Sequence, residues 1–218
     1  MVRSNVIATS DNTTSETSIL QLQTILSTST NSKEEKRPYL PTGEVTIMDP
    51  ETKSLSKVDV LLDTGAEISF VDSTLAAKLH LPVIEERRIN LHTFGSQDTK
   101  ERRCKLVRME VWDEERTPHL VQLLTHDILT RAFKPPQIPT EDLDFMRNRN
   151  IKILRRTDKK DIKPFVLLGC DYLWNFMGSD THPIPLPSCL HLLPTKLGYL
   201  ISGKRQKENP AVLQVSRN

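Results

Sequence analysis

Residues 60–71 read Val60-Leu61-Leu62-Asp63-Thr64-Gly65-Ala66-Glu67-Ile68-Ser69-Phe70-Val71. Three apolar residues in succession predict a strand buried on both faces. A carboxylate at the end of such a strand is costly unless it is hydrogen-bonded or put to use. Gly65 permits a tight turn and a close approach of neighbouring N–H groups to that carboxylate. Taken alone, Asp-Thr-Gly is also an ordinary turn. The surroundings decide between the two.

Outward from this stretch the pattern is mainly β. Gly43–Met48 and Lys57–Leu62 read as strands joined across the turn-rich Asp49-Pro50-Glu51-Thr52. Ser73–Leu79 has helical composition, with Asp72 or Ser73 as its cap and Pro82 closing it. Arg88–Phe94 and Cys104–Trp112 alternate apolar and polar residues around a polar Gly95–Arg103. That predicts a β-hairpin with a hydrophilic tip. His119–Leu124 predicts another strand, and Thr140–Arg147 a helix opened by Thr140 or Glu141. The Lys/Arg-rich stretch Ile151–Lys163 reads as a solvated connection. Phe165–Leu168 predicts a short buried strand, followed by a glycine turn and a helix start at Cys170-Asp171-Tyr172-Leu173-Trp174. Cys189–Leu193 and Gly198–Ser202 predict the last two strands.

A chain of 218 residues suffices for one sizeable core. Residues 1–37 are dominated by Ser, Thr, Asn and Gln and end in Lys33-Glu34-Glu35-Lys36-Arg37. They cannot bury enough apolar surface to offset their ordering entropy, so they read as a disordered tail with at most a short helix at Ile19–Leu26. One domain over 38–203 and a polar C-terminal tail over 204–218, including Pro210–Val215, complete the division.

Lys and Arg number 30 against 28 Asp and Glu, a balance too even for a phosphate-binding surface. No nucleic acid partner is therefore expected. The longest apolar stretches, around Val58–Leu62 and Phe165–Leu168, are too short to cross a bilayer, so no membrane association is expected either. The 3 cysteines form no C-x-x-C pair, which gives neither a zinc knuckle nor a disulfide framework. The first residues lack the apolar run of a signal peptide. An intracellular, cytoplasmic protein is the expectation.

Position by position, residues 60–71 resemble the active-site signature of retroviral-type aspartic proteases. Downstream, Phe165-Val166-Leu167-Leu168-Gly169-Cys170-Asp171-Tyr172-Leu173 resembles their second hallmark, an apolar run followed by Gly-x-Asp-x-Leu. Between them, Leu91-His92-Thr93-Phe94-Gly95-Ser96 sits where that family places its flap. Ala76-x-x-Leu79-x-Leu81-Pro82, Thr93-Phe94-Gly95, Leu168–Trp174 and Leu197-Gly198-Tyr199-x-x-Ser202-Gly203 extend the likeness. Together these motifs resemble the aspartic peptidase domain in polyproteins of Pao/Bel-type LTR retrotransposons, over about residues 39–203.

The resemblance implies a retropepsin-like closed β-barrel, the acid protease fold, with a flap hairpin and a few short helices. It implies an aspartic endopeptidase active as a homodimer on an extended peptide or polyprotein substrate, without metal or cofactor. Asp63 from each of two chains would form the catalytic dyad, supported by Thr64, Gly65 and Ala66. Phe94, Gly95 and Ser96 would belong to the flap, and Leu168, Gly169 and Asp171 to the second hallmark. The segment from Asp113 to Lys163 is long beside compact retroviral enzymes.

Other chemistries are weaker. Asp171 is a rival second carboxylate, but its place after Gly169-Cys170 reads as a helix N-cap. Gly169 reads as the residue that lets the strand pass behind the active loop. Cys170 with His182 or His191 matches no local thiol-protease signature, and Cys189-Leu190-His191 is not a zinc spacing. Trp112, Trp174 and Phe176 read as core residues. A catalytically silent retropepsin-like domain, used only for dimerisation or peptide binding, is the alternative from a different class.

Overall fold

A computed structural model describes residues 38–91, 100–127, 129–154, 161–178 and 182–205. The readings made for 1–37, for the flap residues Phe94, Gly95 and Ser96, and for most of the C-terminal tail lie outside these residues.

The first hairpin pairs β1 (Thr42–Met48) with β2 (Leu55–Leu62), in a register from Thr42↔Leu61 to Met48↔Leu55. Its turn is set by Asp49, whose Oδ1 accepts from the N–H groups of Glu51 (2.8 Å) and Thr52 (3.0 Å). Those bonds, from Thr52 above all, hold the Asp49 carboxyl below its ordinary range. After β3 (Phe70–Asp72), Asp72 caps α1 (Ser73–Lys78) by accepting from the N–H groups of Thr74 and Leu75. Next come β4 (Val83–Leu91), β5 (Lys100–Trp112) and β6 (Pro118–His126). The chain then forms α2 (Thr140–Asn148), β7 (Val166–Leu168) and α3 (Cys170–Phe176). It ends in a meander of β8 (Ile184–Pro185), β9 (His191–Thr195) and β10 (Gly198–Ser202).

The main sheet has seven strands in the order β1-β2-β7-β3-β6-β5-β4, and β1 also pairs with β5 through Thr46↔Trp112 and Ile47↔Val111. β7 runs parallel to β2 and antiparallel to β3. It therefore separates two strands that are consecutive in the chain, and the loop between them must pass over its end. The molecule is mainly β with a few short helices, which is consistent with the expected acid protease fold. Among the described residues no helix is long and apolar enough to cross a membrane.

One face of the main sheet builds the larger core, with Ile47, Val60, Val71, Val111, Leu123 and Val166 all fully buried. Alternation along the strands sends the next residues to the other face, where Cys104, Leu106 and Leu124 form a small cluster with Phe70 and Ile89. A second core lies between α2 and the β8–β10 sheet, around Tyr39, Met146, Leu190, Leu192 and Ile201. The ends of the described chain meet there: Tyr39 and Gly203 bridge each other.

Several expectations need correction. Residues 155–160 of the Lys/Arg-rich connection lie outside the described residues, and the described part is not simply solvated: Ile151 and Ile153 pack on the second core, and Ile162 is buried and bridged to Phe133. Its charged residues masked an apolar spacing that only tertiary packing uses. The strand expected over Cys189–Leu193 starts at His191, because Cys189 sits in a turn with φ of 67°. Both hairpin strands begin earlier than expected, β4 at Val83 and β5 at Lys100. Phe176 is core as expected, but Trp174 faces solvent at 64% exposure.

Candidate active site

β2 delivers Asp63 to the edge of the core. Val60 and Leu62 are buried, and their contacts fix the strand's register. The following residue leaves the sheet half-buried. The Asp63 N–H donates to the Leu168 carbonyl (3.0 Å), and Asp63 Oδ1 accepts from the Gly65 N–H at 2.8 Å. Ala66 N–H closes the turn on the Asp63 carbonyl at 3.3 Å. The carboxylate is thus oriented by its own loop.

The chain then crosses the end of β7 to reach β3. Gly169 makes that crossing possible: a Cβ there would lie 2.6 Å from the Ala66 carbonyl oxygen and 2.8 Å from that of Ile68. Both are backbone atoms with nowhere to retreat. The expected role for Gly169 is therefore what the geometry provides.

Residues 168–171 hold the back of the loop. Cys170 N–H donates to the Ala66 carbonyl (2.8 Å), and Cys170 Sγ to the Thr64 carbonyl (3.2 Å). Gly169 N–H donates to Ser69 Oγ at 2.8 Å. Ser69 in turn donates its N–H (3.1 Å) and its hydroxyl (2.5 Å) to the two oxygens of Asp171. The front of the loop faces outward: Thr64, Gly65, Glu67 and Ile68 are exposed, and Ala66 is half-buried.

Asp171 is therefore not the N-cap that its sequence position suggested. Gly169 occupies that position, and Asp171 turns back to Ser69 instead. The reason is spatial. β3 runs beside β7 and brings Ser69 within reach, where its N–H and hydroxyl each donate to one oxygen of the carboxylate. Ser69, fully buried, is the residue that reading the sequence left without a role. Its signal was a small polar residue set between Ile68 and Phe70 at the entrance to an apolar strand.

The structure brings together Asp63, Thr64, Gly65, Ala66, Leu168, Gly169 and Asp171. β4 and β5 are paired as far as Leu91↔Lys100, the base of the segment that holds Phe94, Gly95 and Ser96. The thiol rival is committed elsewhere, since Cys170 Sγ bonds to the Thr64 carbonyl, while His182 and His191 are exposed. Burial, with Asp127 adding to it, pushes the Cys104 thiol up, which makes it a poor nucleophile. Among the described residues no three His, Cys, Asp or Glu side chains are grouped as a metal site requires.

No curated protein and no solved structure matches the chain. A family model described as aspartyl protease matches residues 44–129, from β1 through the Asp63 loop to the end of β6. That match, on a loop with this geometry, supports an aspartic peptidase domain and a hydrolase of the aspartic peptidase kind.

Proposed function

We propose that the protein is an aspartic endopeptidase of retrotransposon origin, working in the cytoplasm as a homodimer in which each chain contributes Asp63. One observation carries the reading. Asp63 leaves a buried strand on a loop bonded from behind and open in front, while Asp171, the carboxylate of the second motif, is taken up by Ser69. This reading takes the second catalytic acid from another chain. An isologous contact between two outward-facing loops brings two copies of Asp63 to a two-fold axis. The β1–β5 pairing supports reading the main sheet as a closed barrel, with the β4–β5 hairpin as its flap.

Two carboxylates brought together at such an axis share one proton between them. The ionised Asp63 takes a proton from a water, and the protonated one donates to the scissile carbonyl. Attack gives a tetrahedral intermediate, which collapses to acid and amine without a covalent adduct. The substrate is an extended peptide or polyprotein segment bound as an added strand.

The test is cleavage of a mixed peptide library by the full chain at about pH 5, where a dyad holding one proton is active. Cleavage that disappears in Asp63→Asn is the expected result. Cleavage that persists in the variant contradicts the reading. No cleavage by a folded, dimeric wild type would instead mark a silent dimerisation or peptide-binding module.

A further inference from the structure

We propose that Ser69 and Asp171 form a positioning clamp for the Asp63 loop, so that Asp171 governs turnover without touching substrate. This rests on the reading of Asp63 as the catalytic acid.

The argument starts from donor and acceptor counts. Ser69 is fully buried, and its hydroxyl accepts from the Gly169 N–H while donating to Asp171 Oδ1. Its backbone N–H donates to Asp171 Oδ2. In this geometry each Ser69 donor has an oxygen of its own, Oδ2 for the N–H and Oδ1 for the hydroxyl. A carboxylate supplies both, whereas an amide supplies one acceptor and presents a donor in place of the second. Removing Asp171 leaves both Ser69 donors without their partner and frees the hydroxyl that orients the Gly169 bond.

The clamp closes the far end of a loop whose near end is tied by Asp63 N–H to Leu168. Both anchors lie on the same short segment, 168–171, so the loop and the end of β7 move as one body. Asp171 itself is exposed, and water can take over part of its bonding. Its loss should therefore cost little stability. Position is another matter, because a displacement near 1 Å at a reacting group costs about 100-fold in rate.

The experiment compares kcat and KM of the full chain with those of Asp171→Ala, Asp171→Asn, Ser69→Ala and the double Ala variant. For Asp171→Ala we expect kcat to fall about 100-fold with KM changed less than about 2-fold. Asp171→Asn should recover roughly tenfold of that loss, and the double variant should be no worse than Asp171→Ala. If Asp171→Ala fails to fold, Asp171→Asn carries the comparison against wild type. An unchanged kcat, or losses in the two single variants that simply multiply, would overturn the clamp.

A second readout does not depend on catalysis. In a Cys189→Ser background, Cys170 is the one thiol not buried, and it contacts the loop through Thr64. Its reaction rate with a disulfide reagent should rise about tenfold when Asp171→Ala releases the loop. An unchanged rate overturns the clamp, even if Asp63-dependent cleavage is never found and the reading of function fails by itself.

Discussion

In the second core, Asp142 near the start of α2 accepts from the N–H of Ser188 (3.0 Å) and from its hydroxyl, and both residues are buried. Beside the candidate active site, Asp171 near the start of α3 accepts the same two bonds from Ser69, but from an exposed position. Each pair ties a helix start to a distant part of the chain. What differs is access to water. In the buried pair nothing replaces a lost partner, so its bonds count toward stability. In the other pair Ser69 is buried but Asp171 reaches solvent, so water admitted at the Asp171 end compensates in energy but not in geometry, and the bonds count toward the placement of Asp63.

The largest stability effect is expected in the second core. Asp142→Ala strands two buried donors of Ser188 and should cost about 3 kcal/mol in urea unfolding, with kcat of the folded fraction changed little. If Asp142→Ala instead lowered kcat as Asp171→Ala does, the contrast between the two pairs would break.

A smaller effect is expected at Asp113, in the β5–β6 turn. Its carboxylate accepts from His119 Nε2 (2.8 Å) and the Thr117 N–H (2.7 Å). Burial pushes its pKa up, but the bond from His119 and those from backbone N–H groups outweigh burial and hold it below the ordinary carboxylate range. A depressed folded pKa stabilises the fold above the unfolded value, and that gain is lost as pH falls through the folded one. Asp113→Asn should therefore cost about 1 kcal/mol at pH 7, with the deficit shrinking below about pH 4. An equal deficit at both pH values would show that the charge is not what stabilises this turn.

The two regions also differ in how far the sequence reveals them. Around Asp63, local rules agree with the tertiary result: an apolar triplet, an Asp, a Gly for the turn and a second apolar run. Gly169 was legible too, because a glycine after a buried strand signals a close backbone approach. Asp171 was misread because capping is a local rule, and its partner Ser69 lies on a strand far away in sequence. The second core was harder still. Ile151, Ile153 and Ile162 stand among lysines and arginines with no period of their own; the first two become core only where α2 and the β8–β10 sheet meet them, and Ile162 is buried where it bridges Phe133. Asp142 and Ser188 look like surface residues until the fold buries them together.

Mixing wild-type chain with Asp63→Asn at constant total concentration tests the paired Asp63 most directly. If each active site takes one acid from each of two chains, an equal mixture has about one quarter of the activity of pure wild type, because about one pair in four holds two intact acids. Activity of about one half, falling linearly with the wild-type fraction, would mean that each chain works alone and would contradict the two-chain dyad.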